Sequence, residues 1–241
     1  MSVLVQSVSS LLAAYLLGSF PSGLLIVRMV RGRDVRRWYS GRTGGTNVMR
    51  VAGYWAGLAT AALDVLKAFL AVRLANWISG GSAWLQVLAG TLAIIGHNYS
   101  IFLVERIDGK LRFRGGAGGA TAFGASMGLW PPVGLIILAV GAVILFGIGY
   151  ASVATMSVPI ITGVVLALRA AAGLNSWTYV AFGLLAEIVV LWALRPNILR
   201  LIAGEERLIG WRARRKQREG NGSIEESVGG EGPQERNLDN G

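Results

Sequence analysis

Long apolar runs separated by short basic stretches set the pattern of this chain. No Asp, Glu, Lys or Arg occurs from residue 2 to 27, from 84 to 104, or from 117 to 168. Crossing a bilayer takes about 20 apolar residues, so uncharged runs of this length predict transmembrane helices. Span one covers residues 3–27 and is interrupted at Gly18-Ser19-Phe20-Pro21-Ser22-Gly23, where Pro21 lacks a backbone donor and predicts a kink. Span two runs over 51–72 and carries Asp64 and Lys67 inside it. Span three covers 83–104, with Gly96-His97-Asn98 toward its end and a charged loop after it, 105–116. From 117 to 194 the charges are Arg169 and Glu187, and Pro131-Pro132, Gly147-Ile148-Gly149-Tyr150 and 169–176 divide this stretch into four further pieces of about span length.

The placement of positive charge fixes the orientation. The loops after spans one and three and the tail after the last span are rich in arginine. Cytoplasmic loops carry such an excess, and an even number of spans must then separate each pair. An all-α integral membrane protein of seven transmembrane helices, N-terminus outside and C-terminus cytoplasmic, satisfies every loop. The first run has no basic segment before it and its arginines follow, which predicts a retained span rather than a cleaved signal peptide. Residues 1–206 form the membrane domain. In the tail, 207–218 is basic with Trp211 and is expected at the lipid headgroups, while 219–241 is rich in Gly, Glu and Asn and is expected to be disordered. No internal repeat of the kind common in transporters is evident.

Composition narrows the chemistry. Of 241 residues, 53% are hydrophobic and 15% charged, against about a quarter charged in soluble domains. The net charge of +10 sits beside the spans, so it points to membrane lipids and not to nucleic acid. With no cysteine there is no disulfide, thiolate nucleophile or Cys-held metal, and one histidine with few acids argues against a zinc site. Neither a G-x-S-x-G elbow nor a Walker loop is present.

What remains is a polar stretch, Tyr39–Arg50, reading Y-S-G-R-T-G-G-T-N-V-M-R. Its glycines let backbone N–H groups approach an anion, its hydroxyls and amide add donors, and Arg50 can grip oxygens bidentately. A phosphate-bearing ligand is one reading. The other is a turn that starts a helix, with Thr46 or Asn47 as N-cap. Asp64 and Lys67, three apart on a helix, can pair on one face, either as a structural ion pair or as part of a site. His97 beside Asn98 and Ser100 reads as a ligand contact, against the alternative of a packing histidine; no Asp follows it within five residues. Glu187 has no partner evident in the sequence, and Gly124-x-x-x-Gly128 predicts close helix packing.

Taken together, four blocks resemble the acyl-phosphate-dependent glycerol-3-phosphate acyltransferases of bacterial membranes, the PlsY family. They are Gly18–Gly23; Ser40–Arg50 followed by Leu63-Asp64-Val65-Leu66-Lys67; Gly96-His97-Asn98-Tyr99 through Gly115-Gly116-Ala117-Gly118-Gly119-Ala120-Thr121; and Asn197-Ile198-Leu199-Arg200-Leu201-Ile202-Ala203-Gly204. The resemblance implies transfer of an acyl group from acyl phosphate to glycerol 3-phosphate, giving lysophosphatidic acid in phospholipid biosynthesis. It implies no cofactor and no metal, and an active site facing the cytoplasm from the inner membrane. By the same resemblance Ser40, Arg50, His97 and Asn197 are catalytic. Gly41, Thr46, Asn47, Gly115, Gly116, Gly118, Thr121, Ser152 and Thr155 bind substrate, and Arg42 and Arg114, which the resemblance does not match, are expected to bind it as arginines beside these blocks. A substrate phosphate oxygen is expected to take the hydroxyl proton, so His97→Ala is expected to lose less than about a hundredfold in turnover.

The chain departs from the family pattern at Ala117, where the family has lysine, at Leu194, where it has histidine, and at Arg42, where it has asparagine. An extra charged segment, 105–111, precedes the second glycine block. Arg42, Arg112 or Arg114 is a possible substitute for the missing lysine. Two other readings stand beside the enzyme: a transporter or flippase for a phosphorylated lipid or small organic anion, and a catalytically weak lipid-binding paralogue.

Overall fold

The computed structural model describes residues 3–209 and 212–213, and over these the chain is mostly helical. The first apolar run breaks where Pro21 predicts it: α1 spans Val3–Ser19 and α2 Ser22–Arg31. A 3₁₀ turn at Val35–Arg37 leads to a short helix, α3 (Gly45–Ala52), and then to α4 (Tyr54–Ile78) and α5 (Ala83–Asn98). After a hairpin, β1 (Ser100–Ile107) and β2 (Lys110–Arg114), come α6 (Gly119–Leu129), α7 (Val133–Ile148), α8 (Ala151–Ala171) and α9 (Val180–Ile202). Three segments are long and apolar enough to cross a membrane: Val3–Arg31, Ala151–Ala171 and Trp177–Ile202.

The outer surfaces of these helices are apolar and the contacts between them are small. Leu135, Val143, Leu184 and Ile188 are more than 60% exposed, whereas Ala68, Ala71, Ala75, Ala89, Ala93, Ala122 and Ala125 are buried. This inversion of the soluble pattern is what packing between helices in lipid requires, because small residues let backbones approach. Gly124 shows the limit. A Cβ there would overlap the carbonyl oxygen of Val65 on α4, and one at Gly128 would press on Val72, so the Gly124-x-x-x-Gly128 face is the α4–α6 contact.

Two expectations are corrected. Span three does not run to residue 104: α5 ends at Asn98, Tyr99 turns to φ −133° and ψ 64°, and the β-branched and aromatic run that follows is extended. The chain is therefore not all-α. β1 and β2 pair antiparallel around Asp108-Gly109, both with positive φ, which is the two-residue turn whose twist suits a hairpin. The second correction concerns α3. It begins at Gly45 with Gly44 in the cap position, so Thr46 and Asn47 lie inside the helix and neither caps it. Of the tail, most of 207–241 falls outside the described residues.

Candidate active site

Asn47 organises the polar loop before α3. Its buried amide donates to the carbonyls of Val35 (3.3 Å), Trp38 (3.2 Å) and Arg42 (2.8 Å), and its Oδ1 accepts from the Ser40 N–H at 3.4 Å. The loop is held from outside as well. Asp34 accepts from Arg36 Nε and Nη2, which keeps its carboxyl below the usual range, and Arg36 reaches across to Glu105 on β1 at 2.8 Å. Gly41 (φ 66°) is packed against the Arg36 carbonyl in this turn.

The second glycine segment is stitched to the first. Thr43 N–H donates to the Gly115 carbonyl at 3.1 Å, and Gly116 N–H donates to the His97 carbonyl at 3.0 Å. A Cβ at Gly116 would overlap the Nε2 of His97, so the imidazole edge lies directly against this turn. Thr121 Oγ1 bonds back to the Gly118 carbonyl at 3.0 Å and closes the first turn of α6. Arg114 lies 3.5 Å from Glu105.

Beneath these turns lies a buried charge cluster. Lys67 Nζ donates to Asp64 Oδ1 (2.8 Å), to the Phe20 carbonyl (2.9 Å) and to His97 Nδ1 (3.1 Å). Ser22 Oγ donates to the same Asp64 oxygen at 2.5 Å, while Asp64 Oδ2 is buried with no partner among the described residues. The Asp64–Lys67 pairing expected from the sequence is present. The histidine's link to an acid, not found locally in sequence, runs to α4 through Lys67, which donates to both Asp64 Oδ1 and His97 Nδ1; the two acceptor atoms lie 3.5 Å apart. An ammonium has only donors, so His97 Nδ1 accepts and the proton of the neutral ring sits on Nε2.

The polar loop, the turn at Gly118, Asp64 and His97 border a cavity of about 510 Å³. Ser40, Arg42, Thr46, Asn47, Arg50, His97, Gly118, Ser152, Thr155 and Asn197 line it; Gly41, Arg114, Gly115, Gly116 and Thr121 do not. The first residues of α3, α6 and α8 (Gly45, Gly119 and Ala151) also line it, so three helix N-termini bring their positive dipole ends to one place. Burial, with Arg200 nearby, pulls the Arg42 guanidinium below its usual pKa; burial and Arg207 do the same to Arg50. Such a cavity can bind anionic oxygens through N–H donors and guanidinium groups.

Several lining residues escaped the sequence reading. Arg200 lies inside a recognised block and one turn from Asn197, a spacing that was available as a signal. Glu206 and Arg207 follow that block, and Glu206 accepts from Ser152 Oγ at 2.8 Å and from Asn197 Nδ2 at 3.0 Å. Tyr39, at the head of the polar stretch, and Asp64, which the sequence offered as part of a site, line the cavity too.

Fold and site together define a class: a membrane helical bundle with an arginine-lined pocket closed by two glycine turns. The family model described as glycerol-3-phosphate acyltransferase matches residues 8–204. Among curated proteins, the glycerol-3-phosphate acyltransferase of Parasynechococcus marenigrum is 41% identical over 216 residues, 88% of this chain and 93% of that protein. One from Thermus thermophilus is 38% identical over 212 residues, 87% and 98% of the two chains. The crystal structure of PlsY, an integral membrane glycerol 3-phosphate acyltransferase, in its glycerol 3-phosphate form superposes with a TM-score of 0.72 at 30% identity, covering 85% of this chain and 96% of that one. Its lysophosphatidic acid form gives 0.70 at 29% identity. The chain belongs to the glycerol-3-phosphate acyltransferase family.

Proposed function

We propose that this protein acylates glycerol 3-phosphate to lysophosphatidic acid, with acyl phosphate as the donor. The observation that carries the reading is the convergence of Arg42, Arg50 and Arg200 on one cavity, none of them in an ion pair among the described residues. A phosphate dianion supplies the charge they lack. Relatives named for glycerol 3-phosphate acylation, and PlsY structures in glycerol 3-phosphate and lysophosphatidic acid forms, support the acceptor and the product.

The chemistry asks little of titratable side chains. The acceptor hydroxyl oxygen attacks the acyl carbonyl carbon, the bond from that carbon to the phosphate oxygen breaks, and phosphate leaves. A substrate phosphate oxygen takes the hydroxyl proton. An acyl phosphate is a mixed anhydride with a good leaving group, so holding both substrates together supplies much of the acceleration. Arg50 and the N–H groups of the glycine turns hold phosphate oxygens, and His97 Nε2–H adds a neutral donor to developing charge. Ser40, Thr46, Ser152, Thr155 and Asn197 orient the substrates.

In the membrane, the α1–α2 pair, α4, α5, α6, α7, α8 and α9 make seven crossings, N-terminus outside. The cavity then opens to the cytoplasm at the inner membrane, and residues 1–206 form the catalytic domain. Incubating purified protein with palmitoyl phosphate and labelled glycerol 3-phosphate tests the donor. Lysophosphatidic acid and inorganic phosphate are expected in equal amounts without coenzyme A. Product from palmitoyl-coenzyme A and none from palmitoyl phosphate would refute it.

A further inference from the structure

We propose that Arg42 is the cation that grips a substrate phosphate in this chain, at a point of the cavity where Ala117 and Leu194 present no charge. The inference rests on the acyltransferase reading above and deepens it. Arg42 is anchored by one nitrogen only. Its Nη2 donates to the Ala193 carbonyl of α9 at 2.6 Å, while its Nη1 is buried with no hydrogen-bond partner among the described residues. The anchor fixes the fork beside Leu194, and Arg42, Leu194 and Ala117 line the same cavity.

A buried donor left unpaired is costly, and more so on a charged group, so the free N–H marks a place for an acceptor. The carboxylates of the cavity do not supply it. Asp64 accepts from Ser22 and Lys67, Glu206 accepts from Ser152 and Asn197, and Glu205, the third carboxylate lining the cavity, forms no ion pair with Arg42 among the described residues. No ion pair among the described residues includes Arg42. Of the three arginines that could stand in for a cation at 117, Arg112 is exposed on the hairpin, and Arg114 faces Glu105 and does not line the cavity. Arg42 alone of the three is in place. A guanidinium fork held rigid at one end presents its remaining N–H groups to a phosphate oxygen with little further ordering.

Both substrates carry such a phosphate, and kinetics with calorimetry separate them. In Arg42→Ala the KM for either glycerol 3-phosphate or palmitoyl phosphate rises at least tenfold, and the substrate affected identifies the phosphate held. Adding Ala117→Lys to that variant recovers at least threefold of the loss, because the new ammonium enters the same cavity. Retention of the wild-type melting temperature within a few degrees excludes collapse of the loop; if Arg42→Ala melts early, Arg42→Lys, which keeps the charge, serves in its place and still raises KM at least threefold. KM values for both substrates within twofold of wild type, or titration calorimetry giving equal glycerol 3-phosphate affinity in wild type and Arg42→Ala together with an unmoved palmitoyl phosphate KM, overturn the role of Arg42 and leave the acyltransferase reading standing. A wild type that neither binds glycerol 3-phosphate nor turns over brings down both.

Discussion

Lys67 has three N–H donors and three acceptors around it: the Asp64 carboxylate, the Phe20 carbonyl and the His97 Nδ1. That match decides the state of the histidine. With Nδ1 occupied as an acceptor and the proton on Nε2, His97 offers a donor to the cavity and has no free lone pair for a proton. General-base catalysis typically contributes about a hundredfold to ten-thousandfold, so the size of the loss discriminates between the roles. His97→Ala is predicted to lower kcat by less than about a hundredfold with the fold intact, measured by steady-state turnover and thermal melting in detergent. A complete loss in a folded variant would contradict the donor role. At this scale the sequence was partly legible. The Asp64–Lys67 spacing showed a pair on one helix face, but the link to His97 joins α4 to α5, and no local spacing encodes a contact made by packing two helices.

Single elements show where pattern reading works and where it fails. Pro21 and Pro131-Pro132 lie where helices end, as their missing donors favour, whereas Pro159 and Pro196 sit inside α8 and α9. The small-residue spacing of α6 likewise reported its contact with α4. Adding a Cβ at Gly124 meets the backbone carbonyl of Val65, which cannot rotate away, so Gly124→Ala is predicted to cost about 1–3 kcal/mol as overpacking. Gly141 on α7 has open space around its Cβ position, so Gly141→Ala is predicted to be neutral or slightly stabilising. Melting curves in the same detergent compare the two, and equal shifts would refute the packing argument. The hairpin was missed because the first part of β1, residues 100–104, is apolar enough to extend span three on hydropathy alone. The Asp108-Gly109 dipeptide was the signal that could have separated it, since both residues take positive φ in a tight turn. Charge then explains the hairpin's position: Glu105 meets Arg36 and lies near Arg114, which ties β1 to the loop before α3.

For the molecule as a whole, the segregation of arginine into three regions carried the topology argument, and the structure brings two of those regions into contact through Thr43 and Gly115. The chain has no cysteine, so single cysteines can report sidedness without background. Cysteine at Gly80, exposed in the α4–α5 turn, is predicted to react with an impermeant maleimide on intact cells, and cysteine at Gly109 only after permeabilisation. Labelling of both from outside would contradict the seven-span arrangement. Hydropathy revealed the bundle because lipid imposes long uncharged runs; it left part of the cavity unread, because Arg200 sits in the Asn197–Gly204 block among apolar residues and Glu206 and Arg207 follow that block outside any motif. The central claim is that the two glycine turns and their arginines form one phosphate cradle. A crystal structure with glycerol 3-phosphate bound tests it most directly. The account predicts the phosphate between the Ser40–Arg50 loop and the turn at Gly118, within hydrogen-bond reach of the cavity arginines. A phosphate bound outside this cavity, with the arginines still unoccupied, would contradict it.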